Sequence, residues 1–365
     1  MQRMLTRLTC WIAILLFAAS CSGETPDRGP TPSAVEPAAA AAPVARTDYA
    51  DADVIIFGTP DEAADWLKSE NWWGEEQRGV QLTVPYALIT GIAPRWQKLA
   101  QEIPVPDKKE VFYRFMLPLV MHANRMVLDR RERLASLRSD VEAGRPLAAD
   151  DRAWLRGVGE VLRAKTPAED ADDQLMLPLI DELLYKLDVL PPGLVLGQAA
   201  YESGYGTSRF AVEGNALFGQ WTYGGEGMVP GQQRASLGDH RIAKFDWPFD
   251  SVRGYYINIS GHPAYEPLRK IRAERRAAGK PLTSLALADG LIRYSERGQK
   301  YVDTLKGIIR VNKLDIADDA VLRDEPLRFL VSTESPEAAN ELREEIESLR
   351  ASGELAEIIA RMNLD

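Results

Sequence analysis

One carboxylate in this sequence stands where a general acid could be made. Glu202 lies near the end of the run Leu194-Val195-Leu196-Gly197-Gln198-Ala199-Ala200-Tyr201-Glu202-Ser203, and Gly204-Tyr205-Gly206 follows it. The run is apolar enough to be a buried helix, and glycines suit its stop. A carboxyl at the end of a buried helix loses hydration, which disfavours its charged form and raises its pKa. A carboxyl that stays protonated toward neutral pH is what a glycosidase needs to protonate the leaving oxygen. On the local pattern alone, the alternative is a solvated helix-end residue with no chemistry.

Other elements must hold that helix. Residues 175–188 predict an amphipathic helix with Leu175, Leu177, Ile180, Leu183, Leu184 and Leu187 on one side. Asp188-Val189-Leu190-Pro191-Pro192 ends it, and Pro192 suits an early position in the next helix, where its missing N–H costs little. Residues 214–247 turn rich in Gly and aromatics, with β-prone pieces, and predict a small β lobe or long loops. Upstream, 108–140 predicts a long helix that Pro118 kinks or shortens. A further helix is expected over 148–164 and a boundary loop over 165–174. Helices resume at 249–260, 282–294 and 300–313. Nearer the amino end, Val54-Ile55-Ile56-Phe57 predicts a strand, and Pro60 to Leu67 a capped helix start.

Together these motifs resemble a family. Ala199-Ala200-Tyr201-Glu202-Ser203, Thr207-Ser208-Arg209-Phe210-Ala211 and Asn215-Ala216-Leu217-Phe218-Gly219-Gln220-Trp221 are similar to the Bax-like branch of the N-acetylglucosaminidases of glycoside hydrolase family 73. His262-Pro263-Ala264-Tyr265 resembles a later element of that family. Tyr294 to Tyr301 resembles its Tyr-x(6)-Tyr element. The resemblance covers roughly 108–314. It implies a mainly α (α+β) architecture: a lysozyme-like helical domain with a small β lobe and a cleft between them. It implies hydrolysis of the β-1,4 bond after N-acetylglucosamine in peptidoglycan, with Glu202 as general acid and Tyr294 near the reacting sugar. Trp221, Phe218 and Tyr301 would line sugar subsites, although core packing is an equal reading for Phe218. Asn215 and Gln220 belong to the same substrate-side segment, Asn215 more as a shaper of the turn beside the acid. No cofactor and no metal are implied.

A second carboxylate is the open point, since retaining and inverting enzymes both normally use one. The β lobe offers Glu226 and Asp239. Otherwise the substrate's own N-acetyl group assists, and no second carboxylate is needed.

The ends of the chain carry different information. Arg3 and Arg7 precede an apolar run from Cys10 to Phe17 that is short for a bilayer span, which reads as a secretory signal over residues 1–20. Ala18-Ala19-Ser20-Cys21 resembles a bacterial lipobox, with alanine at the place leucine usually holds. That resemblance implies lipidation of Cys21 and a periplasmic-side protein held to a membrane by its N-terminal lipid, with the outer membrane favoured by Ser22. Residues 21–48, rich in Pro, Ala, Ser and Thr, read as a tether. The organisation expected is then a helical N-terminal region over 49–170, a glucosaminidase domain over 171–315 and an acidic C-terminal extension over 316–365. Within that extension, Asp324 to Val331 and Glu337 to Leu364 resemble the last strand and helix of type 3 periplasmic solute-binding proteins. The segment is too short for such a domain, and packing of its strand on Val54–Phe57 is one expectation for it.

Composition narrows the classes. The 365 residues carry a net charge of −10, 27% charged residues and 8% aromatics, which excludes both a disordered polyelectrolyte and a basic nucleic-acid binder. Two cysteines and three scattered histidines argue against a disulfide framework, a zinc-cysteine site and a histidine-rich metal site. The acidity is uneven: residues 190–314 are net +6 and residues 315–365 net −9. A basic segment suits an anionic polymer such as a peptidoglycan glycan strand; a merely solvated surface is the alternative. Against the hydrolase stands a non-catalytic glycan-binding or envelope-assembly lipoprotein on the same fold.

Overall fold

The structure, a computed structural model, describes residues 52–73, 80–222, 227–229 and 241–361. Cys21, Glu226 and Asp239 lie outside the described residues, as do the expected signal and tether. From the amino end, strand β1 (Asp53–Phe57) leads into helix α1 (Pro60–Ser69), capped by Thr59, whose hydroxyl accepts from the Glu62 amide at 3.2 Å. Strands β2 (Thr83–Val84) and β3 (Ala87–Ile89) and helix α2 (Trp96–Glu102) follow. Next come the 38-residue helix α3 (Val105–Glu142), α4 (Ala149–Val161), α5 (Leu177–Lys186), α6 (Pro192–Ser203) and the short α7 (Arg209–Gly214). Strands β4 (Trp221–Thr222), β5 (Gly227–Met228) and β6 (Arg241–Ala243) make a small antiparallel sheet in the order β4-β6-β5. Helices α8 (Pro248–Gly261), α9 (Glu266–Ala277), α10 (Ser284–Leu287) and α11 (Gln299–Val311) complete the helical body. The chain ends in strands β7 (Val321–Leu322) and β8 (Arg328–Ser332) and helices α12 (Pro336–Ser352) and α13 (Glu354–Arg361). The fold is thus mainly α with small β elements. Among the described residues no helix is long and apolar enough to cross a membrane.

Helix α6 is central because its first nine residues carry no charge and pack into the core. Every residue from Pro192 to Ala200 is buried, as is Ser203. Its glycines allow close approach: a Cβ on Gly193 would stand 2.3 Å from the Leu314 carbonyl oxygen, and one on Gly197 3.0 Å from Leu305. Gly204 ends the helix in the left-handed region at φ 59°.

The long helix α3 lies along α5, α6 and α8. It begins at Val105 and runs through Pro118 without a break. Proline at 118 cannot donate to the Arg114 carbonyl four residues back. That buried oxygen is satisfied from outside the helix, by the Trp72 indole N–H at 2.9 Å.

Three expectations shift. Helix α5 begins at Leu177; Leu175 falls in the preceding 3-10 turn and is 58% exposed, so it is not part of the apolar side. Residues 282–294 are not one helix: α10 is a single turn, the chain tightens to a 3-10 helix over Ala288–Leu291, and it then turns. Gly290 packs so closely that a Cβ there would stand 2.2 Å from the Leu268 Cα. Helix α9 was not foreseen, because its sequence is arginine-rich; Arg269 and Arg272 are nonetheless buried, with Arg272 donating to the carbonyls of Asp188, Tyr185 and Lys186.

The first and the last strands of the described residues meet. Strand β8 lies between β1 and β3, parallel to both, with Val54 opposite Phe329 and Ile56 opposite Val331. The expectation that the late strand packs on Val54–Phe57 is met by this pairing. Strands β2 and β7 also pair in parallel. Helix α12 covers one face of the larger sheet with Ala339, Leu342 and Ile346. Ionic contacts reinforce the seam: Glu70 binds Arg323 at 2.9 Å and also Arg328, and Glu325 accepts from the Tyr86 amide at 2.8 Å.

Candidate active site

Glu202 is held at the end of α6 by a tight turn. The buried Ser203 hydroxyl donates to the Ala199 carbonyl at 2.6 Å and accepts from the Gly206 amide at 2.8 Å. Gly204, Tyr205 and Gly206 are all left-handed, with φ of 59°, 60° and 74°. Two of these positions suit glycine, and the Tyr205 carbonyl between them is fixed by the Trp96 indole N–H at 2.9 Å. The Gly-Tyr-Gly sequence after Glu202 is therefore a shaped turn that fixes the end of α6, braced by α2.

The carboxyl itself is half-buried. Its Oε1 accepts from the Tyr301 hydroxyl at 2.9 Å. Burial pushes the Glu202 pKa up, and the Tyr301 bond pulls partly against it. Among the described residues none of the ion pairs includes Glu202. Phenols surround it instead: Tyr301 from α11, Tyr294 from the turn before α11, Tyr255 from α8 and Tyr265 from the 3-10 turn Pro263–Tyr265 all feel its charge. Burial raises each of these phenols above the ordinary tyrosine value, so they remain neutral hydrogen-bonding groups.

The expected site residues fall into two groups. Glu202, Tyr301 and Tyr294 come together: the Tyr294 and Tyr301 rings stack with centroids 5.4 Å apart, and the Tyr294 hydroxyl donates to the Phe218 carbonyl at 3.1 Å. Tyr301 is only 1% exposed, so it meets the acid from the protein side rather than forming an open sugar platform. Phe218 is 3% exposed and stacks on Tyr255 at 4.3 Å, which places its ring in the core and its carbonyl at the site. Trp221 is 47% exposed on β4. Asn215 and Gln220 act as braces: Asn215 donates to the carbonyls of Phe245 at 3.1 Å and Asp246 at 3.0 Å, and Gln220 donates to the Ser251 carbonyl at 2.7 Å. Glu226 and Asp239 cannot be placed, being outside the described residues.

Three participants escaped the reading of the sequence. Gln198, one helical turn before Glu202, is fully buried and donates to the Tyr301 oxygen at 2.9 Å. Tyr255 in turn donates to the Gln198 amide oxygen. Arg297 bonds the hydroxyl of Tyr201, next to the acid. The signal for Gln198 was a polar side chain in an otherwise apolar helix at the i−4 position, hence on the same face as Glu202. Among the described residues no group of three or more His, Cys, Asp or Glu side chains could hold a metal ion.

Residues 177–314 match the protein family described as mannosyl-glycoprotein endo-beta-N-acetylglucosaminidase. The chain is 28% identical over 211 residues to Protein bax of Escherichia coli (strain K12), an alignment covering 58% of this chain and 72% of that protein. No solved structure matches the chain. The matched family segment contains Glu202 and every phenol around it, and it supports a Bax-like glucosaminidase: a glycosidase with a glycan as substrate.

Proposed function

We propose that this protein is a peptidoglycan hydrolase that cleaves the β-1,4 bond after N-acetylglucosamine, with Glu202 as general acid. The observation that carries the reading is a half-buried carboxyl with raised pKa, bonded by a neutral phenol and in no ion pair among the described residues, within the segment that matches the glucosaminidase family. A protonated Glu202 donates to the glycosidic oxygen as the C–O bond breaks and that oxygen keeps the electron pair. Tyr294 and Tyr301 hold the acid and the wall behind it. Trp221 offers an exposed aromatic face to a sugar ring. Positive charge carries the anionic strand: Arg293 and Arg297 sit on the segment leading into α11 and Lys300 on its first turn, and residues 190–314 are net +6. The positive charge formed at the sugar carbon is met by Glu226, by Asp239 or by the substrate's acetamido group. We place the protein on the periplasmic side of the cell envelope, joined to the membrane through lipid on Cys21.

The test is digestion of purified sacculi, followed by identification of the new reducing ends. N-acetylglucosamine ends support the reading, and Glu202→Gln should lower the rate by about 10²–10⁴-fold, the usual share of a positioned acid. Muramic acid ends would make the enzyme a muramidase. Binding of sacculi without release would make it a glycan-binding protein. Glu226→Gln and Asp239→Asn, assayed alongside, distinguish the two carboxylates, and full activity in both leaves the acetamido route.

A further inference from the structure

The hydrogen bonds behind Glu202 form a directed chain. Tyr255 gives its hydroxyl proton to the Gln198 carbonyl oxygen, Gln198 gives an amide N–H to the Tyr301 oxygen, and Tyr301 gives its proton to Glu202 Oε1. Gln198 is fully buried, and Tyr255 and Tyr301 are each 1% exposed, so water does not compete at those positions. The ends of an amide differ: the oxygen only accepts and the nitrogen only donates. With Tyr255 donating to the oxygen, the nitrogen must face Tyr301. The Tyr301 oxygen is then occupied by a donor, and its own proton has one remaining acceptor, the carboxyl of Glu202.

We propose that Gln198 is a positioning residue for cleavage: it commits the Tyr301 proton to Glu202 Oε1 and thereby leaves Oε2 as the oxygen that carries the transferable proton. This rests on Glu202 being the acid. Without Gln198 the Tyr301 oxygen becomes an acceptor, and a protonated Glu202 can turn its O–H inward to it. With Gln198 present that inward bond is blocked, so the proton of the neutral acid stays on Oε2, the oxygen that Tyr301 does not hold. When Oε2 gives the proton to the leaving oxygen, the new carboxylate keeps the Tyr301 bond, which stabilises the charge as it forms. The groups facing Glu202 are the phenols of Tyr301 on α11, Tyr294 before it, Tyr255 on α8 and Tyr265 before α9. Among the described residues no charged side chain is among the influences on Glu202; the nearby Arg297 is bonded to the Tyr201 hydroxyl. None of the phenols changes charge over the range in which a carboxyl titrates, which leaves the direction of the Tyr301 bond as the adjustable influence.

The experiment compares Gln198→Leu, Tyr301→Phe and the double variant. It measures kcat and kcat/KM on glycan strands against pH. In parallel it follows the Glu202 carboxyl carbon by ¹³C NMR titration, with Glu202→Gln to assign the signal. In Gln198→Leu the neutral acid gains an inward bond. Its titration midpoint and the basic limb of kcat/KM should both rise by about half to one pH unit, the effect of one hydrogen bond. Its plateau kcat should fall roughly tenfold, a part of what a positioned acid supplies. Once Tyr301 is phenylalanine there is nothing left to orient, so adding Gln198→Leu should change kcat less than about twofold and leave the midpoint in place. An unmoved midpoint in Gln198→Leu, or losses that multiply in the double variant, would overturn the proposal and leave Gln198 a packing residue. If Gln198→Leu does not fold, Tyr255→Phe frees the amide to rotate while keeping the ring stacked on Phe218. Its midpoint should move the same way, and an unmoved one again overturns the proposal. If the wild-type protein releases no glycan fragments, the hydrolase reading fails, while the NMR midpoints still decide the hydrogen-bond chain.

Discussion

At the scale of single residues, folding opposes the charge of Glu202. Burial raises the Glu202 pKa above the ordinary carboxyl value, and the opposing Tyr301 bond is the smaller influence. The sign for stability follows from linkage. A group whose folded pKa is raised supports the fold most below its unfolded pKa, and that support is lost as pH rises through the folded pKa. At pH 8 the native state therefore holds an unfavourable buried carboxylate. Glu202→Gln, neutral at every pH, should be more stable than wild type at pH 8 and equal to it near pH 4. The gain reads as a rise in Tm at pH 8 that vanishes near pH 4. Thermal melts of both chains at the two pH values check this. A variant that loses both cleavage and stability would mean that the carboxylate serves the fold instead. The reading of the sequence reached Glu202 and Tyr294 through motif and burial. Core packing was one of two readings for Phe218, and the structure takes it; the inward turn of Tyr301 was not foreseen, because an aromatic ring has the same sequence signature whether it faces sugar or core.

At the scale of elements, α3 shows how a local fault is repaired at a distance. Pro118 leaves the Arg114 carbonyl without its helical donor, and Trp72, from the N-terminal region, supplies one at 2.9 Å. The Arg114 guanidinium also lies 4.5 Å from the centre of the Trp72 ring. Trp72→Phe keeps a ring but removes the N–H, and should cost about 1–3 kcal/mol, the penalty for a buried unsatisfied polar group. Pro118→Ala restores a backbone N–H for the same oxygen, so in that background the loss from Trp72→Phe should shrink by about 1 kcal/mol. Urea unfolding of the four chains of this cycle gives the coupling directly, and a coupling near zero would disprove the repair. The helix was visible in its sequence, and the fault too, since a mid-helix proline predicts a kink. The cure was not visible, because it comes from a residue 42 positions away from the carbonyl it bonds. Helix α9 was hidden for a related reason. Its buried arginines look like surface residues until the carbonyls that receive them are in place: those at and just after the end of α5 for Arg272, and those of Ile259 and His262 at the end of α8 for Arg269.

At the scale of the whole molecule, the acidic C-terminal segment is structurally joined to residues 53–89. Strand β8 is the middle strand of a sheet whose neighbours come from residues 53–57 and 87–89. Its Phe329 ring lies 6.4 Å from Trp247, at the entry to α8. The same N-terminal region supplies Trp96, which fixes the turn behind Glu202. Deleting residues 320–365 removes the partner of β1 and of β3 together. It leaves two strands with unpaired edges and exposes Ile56, Phe57, Ala87 and Leu88, all buried in the full chain. Burying Phe329, Leu330 and Val331 is worth roughly 1.5–3 kcal/mol each, so the truncated chain should melt well below the full one, by more than about 10 °C. Cleavage of sacculi should fall as well, because the brace on the Gly204–Gly206 turn loosens with the sheet. Acid should weaken the same seam. The Arg328 bond holds the Glu70 carboxyl below its ordinary value, so its contribution is present above pH 4.5 and is lost as pH falls through the lowered pKa. Hydrogen exchange at pH 3 and pH 6 should then show β1 and β8 losing protection before α6 does. Equal melting temperature and equal cleavage in the truncated chain would show that the C-terminal strand and helices are a passenger on the fold.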